Sequence, residues 1–140
     1  MRPTKDDTFM EIAHAMSKRA TCPRRQVGTV LVNSFYHIVG TGFNGNPRNM
    51  PHCIDKPCSG AYLSSGEGLE ACEALHAEQN ALLQCKDVDD IEVCYCTSAP
   101  CIHCTKMLMN TSCNRIVAIG DYIHSGKKYW LASGREWSTL

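Results

Sequence analysis

Residues 91–119 read IEVCYCTSAPCIHCTKMLMNTSCNRIVAI, and this stretch decides the fold. Ile91 to Thr97 is a short apolar run rich in strand formers. Cys101 to Asn110 suits a helix, and Arg115 to Ile119 is a second short apolar run. A strand, a helix and a strand in close succession predict a parallel pair joined by a right-handed crossover.

The flanking sequence extends that unit. Thr4 followed by Asp7 resembles a capping box, and Phe9, Ile12, Ala13 and Met16 recur at helical spacing. The first helix is expected from about Lys5 to Ala20, ended near Pro23. Val27 to Val32 and His37 to Thr41 read as a hairpin turning at Asn33-Ser34. Gly42-Phe43-Asn44-Gly45-Asn46-Pro47 reads as a turn cluster. Leu75 to Cys85 predicts a short helix with Ala77, Ala81 and Leu82 facing inward. The expected fold is α/β, three-layer α/β/α with a central mixed β-sheet, in a single domain over 1–140. The polar stretch from Arg48 to Glu70 is long for a compact domain and lies in a Cys-rich insert of about 46–73. The tail from Asp121 carries Tyr122, Tyr129, Trp130 and Trp137 without an assignable pattern.

Composition narrows the function. The chain has 140 residues, with 14 Lys plus Arg against 14 Asp plus Glu, so its formal net charge is zero. That excludes a strongly basic protein held to nucleic acid by bulk charge, and no nucleic-acid partner is expected. The N-terminus has no signal-peptide apolar stretch and no run of about 18 apolar residues occurs. The expectation is a cytoplasmic protein with no membrane partner. Ten cysteines are the anomaly. In a reducing compartment, clustered cysteines bind metal or pack more often than they pair.

Two motifs carry chemistry: His76-Ala77-Glu78 and Pro100-Cys101-Ile102-His103-Cys104. A helical turn puts Cys101 and Cys104 on one side. One imidazole and two thiolates make a neutral zinc site with its fourth position open, as catalytic sites have and closed structural sites do not. Glu78, two residues from His76, can reach a bound water without being a ligand. Both motifs fall near expected helix N-termini, where partial positive charge favours thiolates. The pattern H-x-E with P-C-x-x-C is that of zinc nucleobase deaminases.

The chain resembles the cytidine deaminase superfamily and, within it, the deoxycytidylate (dCMP) deaminase branch of bacterial and phage type. The matching segments are Thr21-Cys22-Pro23-Arg24, Val27-Gly28-Thr29-Val30, Gly42-Phe43-Asn44-Gly45-Asn46-Pro47, His76-Ala77-Glu78-Gln79-Asn80-Ala81 and Pro100-Cys101-Ile102-His103-Cys104. The resemblance implies hydrolysis of dCMP to dUMP and ammonia, with dUMP feeding dTMP synthesis. It implies catalytic Glu78 moving protons between water, ring N3 and the departing amine. It implies catalytic zinc on His76, Cys101 and Cys104. Asn44 would bond the sugar hydroxyl, the backbone at Ala77 and Cys101 would hold the base, and Ser98 would lie in the substrate site. Arg24 and Arg25 would meet the phosphate; Arg48, Lys127 and Lys128 are further candidates. It also implies a homo-oligomer, a hexamer, with dCTP as activator and dTTP as inhibitor. The effectors would act on Gly42, Phe43, Asn44 and Gly45.

Cys22, Cys53, Cys58 and Cys72 could make a second, structural zinc site, with His52 replacing one of them, or could be ordinary reduced loop thiols. Cys85, Cys94, Cys96 and Cys113 fall in expected helix or strand positions and read as small buried hydrophobes. A pocket tolerating extra phosphates would also take dCTP. The rival readings are a tRNA or polynucleotide deaminase with the same metal core, and a non-catalytic zinc module. Zero net charge disfavours the first; Glu78 and the open coordination position disfavour the second.

Overall fold

A computed structural model describes residues 1–57, 61–62 and 74–140. Five strands form one sheet: β1 (Gly28–Val32), β2 (Ile38–Phe43), β3 (Val93–Cys96), β4 (Arg115–Ala118) and β5 (Glu136–Thr139). Their order is β2-β1-β3-β4-β5. β1 is antiparallel to both β2 and β3, whereas β3, β4 and β5 run parallel. The sheet is therefore mixed, with the expected parallel pair at its centre. Among the described residues, four helices cover it: α1 (Lys5–Ser17), α2 (Ala77–Gln84), α3 (Ile102–Met109) and α4 (Lys127–Ala132). None among the described residues is long and apolar enough to cross a membrane.

Strand alternation divides the core into two layers. Val30, Val32, Val93, Tyr95 and Val117 pack against Met10 and Ala13 of α1. Leu31, Cys94, Cys96, Ile116 and Ala118 point the other way, onto Ala81 of α2, Leu108 of α3 and Trp130 of α4. This is the expected three-layer arrangement, with Cys94, Cys96 and Cys113 buried and Cys85 half-buried. Helix α1 is fixed at both levels of its first turn. Thr4 Oγ1 accepts the Asp7 N–H at 3.1 Å. Asp6 takes both guanidinium nitrogens of Arg115, at 3.1 and 2.7 Å, and the Tyr95 hydroxyl at 2.7 Å.

Two expectations need correction, and the unassigned tail gains a structure. Helix α1 stops at Ser17 rather than Ala20, where Lys18, Arg19 and Ala20 continue only as backbone turns. Gly42 and Phe43 belong to β2, not to a turn. A Cβ on Gly42 would overlap the Ala77 carbonyl oxygen and sit 2.6 Å from Ala81 N, so the glycine admits α2 at backbone distance. The tail is ordered: α4 returns the chain across the sheet and β5 completes its edge. Trp130, fully buried, donates from Nε1 to the Glu136 carbonyl at 2.6 Å and joins the two.

Candidate functional site

The site forms where two helices begin. His76 is the N-cap of α2 and Cys101 the N-cap of α3, with Cys104 in the first turn of α3. Each approach is held by backbone. Leu75 and Gly45 exchange hydrogen bonds, Gly45 N to Leu75 O at 3.1 Å and Leu75 N to Gly45 O at 2.8 Å. The His76 N–H donates to Gln79 Oε1 at 2.8 Å. Before α3, the Gly126 N–H donates to the Pro100 carbonyl at 3.0 Å, and Cys101 bridges to Ser125. The polar segment leading into α4 thus braces the cysteine motif.

His76 Nδ1 lies 3.6 Å from Cys101 Sγ and 3.2 Å from Cys104 Sγ, and all three donor atoms lie within 4.8 Å of one another. Tetrahedral zinc, about 2.3 Å from sulfur and about 2.0 Å from nitrogen, would separate N and S by about 3.6 Å. The donor set and its spacing fit zinc. The Cys101 thiol is pulled down to about 3, first by the hydrogen bond from Cys104 and then, against burial, by His76. The Cys104 thiol is pushed up by its Cys101 partner and by burial. Two sulfurs sharing one proton in this way form a pair that a divalent cation would ionise completely.

Glu78 lies beside this trio, in the first turn of α2 and buried. Burial raises its carboxyl above the usual range, while hydrogen bonds from Cys104 and Thr29 oppose the rise. Thr29 Oγ1 donates to Glu78 Oε1 at 3.3 Å.

A cleft enclosing about 590 Å³ of atom-free space, part of it open to solvent, joins this chemistry to positive charge. Its floor includes His76, Ala77, Glu78 and Cys101; Arg24, Arg25, Asn44 and Tyr122 form other walls. The Arg25 guanidinium donates to Ser98 Oγ at 2.5 Å and lies 4.8 Å from the Tyr122 ring centre. The Asn44 carboxamide is committed to backbone on both sides: Oδ1 accepts the Val27 N–H at 2.8 Å and Nδ2 donates to the Arg25 carbonyl at 2.9 Å. One N–H and one lone pair of Asn44 remain for a ligand.

Most of the sequence-predicted residues therefore meet in one place. Ser98 reaches it through Arg25, whereas Arg48, Lys127 and Lys128 do not line the cleft. Lys127 turns toward Asp121, 3.9 Å away. Gly42, Phe43 and Gly45 have scaffolding contacts: the Phe43 carbonyl accepts Asn80 Nδ2 at 2.8 Å. Cys22 and Cys53 are buried, and Cys22 lines the cleft. Cys58 and Cys72 lie outside the described residues. Among the described residues, the His/Cys/Asp/Glu group placed to hold a metal ion is His76, Cys101 and Cys104. Sequence reasoning missed Thr29 and Tyr122 as site residues. Thr29 shares the inward strand parity of Leu31, a signal present in the sequence; Tyr122 had none.

Residues 3–119 match the family model described as the cytidine and deoxycytidylate deaminase zinc-binding region. A deoxycytidylate deaminase of Mycobacterium phage D29 is 37% identical over 122 residues, covering 83% of this chain and 94% of its own. The deoxycytidylate deaminase of Saccharomyces cerevisiae is 34% identical over 124 residues, covering 87% of this chain, and that of Schizosaccharomyces pombe is 36% identical over 125, covering 86%. This chain spans only 39% and 38% of the length of those two yeast proteins. Among solved structures, the apo dCMP deaminase of cyanophage S-TIM5 superposes with a TM-score of 0.77 at 25% identity over the whole of both chains. The same phage enzyme in complex with dCMP and dUMP gives 0.76, covering 100% of this chain and 99% of that one.

Proposed function

This chain belongs to the cytidine and deoxycytidylate deaminase zinc-binding family, and from that premise we propose that it hydrolyses dCMP to dUMP and ammonia. One observation carries the reading. A single cleft is lined by His76, Cys101 and Glu78, with Cys104 buried behind them, and by Arg24 and Arg25, so a reacting base and a phosphate have partners in one concavity. The S-TIM5 enzyme, similar along its whole length, holds dCMP and dUMP.

The chain's own groups divide the work. His76, Cys101 and Cys104 would hold zinc, which lowers the pKa of a coordinated water to about 7. Glu78 accepts a proton from water and delivers it to N3 of the cytosine ring. Once the water oxygen has bonded to C4, Glu78 takes the remaining proton of that oxygen and passes it to the 4-amino nitrogen, so the C4–N bond breaks, ammonia leaves and a C4 carbonyl remains. Burial raises the Glu78 carboxyl above the usual range, which favours its holding a proton between the two transfers. Backbone at Ala77 and Cys101 borders the base. Arg25, steadied by Ser98 and the Tyr122 ring, offers a planar fork to the phosphate, with Arg24 beside it. Asn44 holds the Arg25 to Val27 segment in place and keeps one donor and one acceptor for the sugar.

The same reading extends to regulation by dCTP and dTTP at Gly42, Phe43, Asn44 and Gly45, to a hexamer, and to a structural zinc on Cys22, Cys53, Cys58 and Cys72. Its support there is the resemblance. Elemental analysis giving two zinc ions per chain supports the structural site, and one removes it. A sigmoidal dCMP curve made hyperbolic by dCTP supports regulation.

The primary test is ammonia release from dCMP, dCTP, cytidine and an RNA hairpin by the zinc-loaded protein. Turnover is expected with dCMP, and Arg25→Ala should raise KM for dCMP about tenfold or more while leaving any cytidine hydrolysis unaltered. No release from dCMP sinks the assignment. Equal kcat/KM for cytidine and dCMP removes the phosphate role.

A further inference from the structure

Resting on the deaminase reading above, we propose that Thr29 is a positioning residue: its hydroxyl ties one carboxylate oxygen of Glu78 to the central sheet, so that the group carrying the protons keeps a constant orientation.

Thr29 is fully buried in β1, on the layer that faces α2. Its Oγ1 lies 3.3 Å from Glu78 Oε1 and 3.5 Å from Cys96 Sγ, the residue paired with it across the β1–β3 ladder. Cys96 Sγ in turn lies 3.5 Å from Cys94 Sγ. A line of side chains therefore runs from the carboxyl into the sheet.

Proton supply fixes its polarity. A carboxylate can only accept, so the single hydroxyl proton of Thr29 goes to Glu78. The Cys96 thiol, kept protonated by burial, can donate to the oxygen of Thr29.

The anchor is also rigid. A β-branched side chain in a strand has few rotamers, and the surrounding core leaves it none to spare. A Glu side chain has three torsions and would otherwise sample several positions. The separation is longer than an ideal O–H···O bond, as catalytic hydrogen bonds often are in a free enzyme.

The test compares zinc-loaded wild type with Thr29→Val, which keeps the shape and removes the hydroxyl, and Thr29→Ser, which keeps the hydroxyl. For dCMP, Thr29→Val should lower kcat about 10- to 100-fold with KM within about twofold, because a hydrogen bond to a charged group acting on the chemical step is lost. Thr29→Ser should restore kcat to within about threefold of wild type. Zinc content, melting temperature and the Kd for dUMP should match wild type in both variants, which separates positioning from folding or binding. Thr29→Val with kcat within about twofold of an active wild type overturns the inference and leaves the deaminase reading intact. Loss of zinc in Thr29→Val, or Thr29→Ser as impaired as Thr29→Val, also overturns it. A wild type that releases no ammonia from dCMP overturns the deaminase reading, and this inference with it.

Discussion

Gly42→Ala should damage stability and chemistry together. The added methyl would overlap the Ala77 carbonyl oxygen and meet Ala81 N at 2.6 Å. Relief to an ordinary contact requires α2 to retreat by about 1 Å, since non-bonded heavy atoms settle beyond about 3.4 Å. Overpacking of this kind costs about 1–3 kcal/mol. For a chain of this size that is a drop in Tm of about 3–10 °C. The part of α2 that must retreat begins one residue after His76 and contains Glu78. A displacement of about 1 Å at reacting groups can cost about a hundredfold in rate. Differential scanning calorimetry, zinc analysis and dCMP turnover on one preparation give all three quantities. If Gly42 served an effector alone, basal turnover and Tm would hold and only the response to dCTP or dTTP would change. Wild-type Tm and kcat in Gly42→Ala would refute the argument from close approach.

Glu78→Gln should keep its zinc and its fold yet lose at least about a hundredfold in kcat, because the amide cannot accept the water proton; retained turnover in the ammonia assay counts against the assigned proton traffic. Removing zinc with a chelator should abolish turnover, and Cys104→Ser should bind less zinc by elemental analysis, whereas zinc content unchanged in that variant would displace Cys104 from the ligand set. Asp6 has its carboxyl lowered, first by the Arg115 hydrogen bond. Its contribution is therefore full above the unfolded value near 3.8 and fades as pH falls through the lower folded value. Asp6→Asn should lose about 1 kcal/mol in urea unfolding at pH 7, and the gap should close below about pH 4. Trp130→Phe removes the Nε1 bond to the Glu136 carbonyl and leaves a gap against α3; a stability loss of about 1–2 kcal/mol is expected in the same assay.

The elements that were legible in the sequence are those whose apolar residues repeat with the period of their own structure. β1, β3 and β4 stand out because both sheet faces are covered, which makes them nearly continuous apolar runs. β5 is half-exposed at the edge and α4 has six residues, so neither carries a period long enough to read. The marks of that tail were Tyr122, Tyr129, Trp130 and Trp137, whose placement depends on tertiary packing. The end of β2 misled for a different reason. Glycine signals a turn when read locally, but Gly40 and Gly42 share one strand face and leave room for α2. The ligand trio was legible because short spacings encode it, with only the His-to-Cys separation set by the fold. The hydroxyl of Thr29 meets Glu78 across 49 residues of sequence, and Arg25 meets Ser98 across 73. No local pattern reports contacts that distant.

Asn44 and Gly45 act as a caliper. One jaw is the arginine-bearing segment leading to Val27, gripped by the carboxamide of Asn44; the other is the segment entering His76, gripped by the backbone of Gly45. Because adjacent residues grip both jaws, the gauge between the charged wall and the reaction centre is set by a single bend in the chain. A change at Gly45 alone would retune which length of ligand bridges the two ends while Asn44 stays in place to meet it.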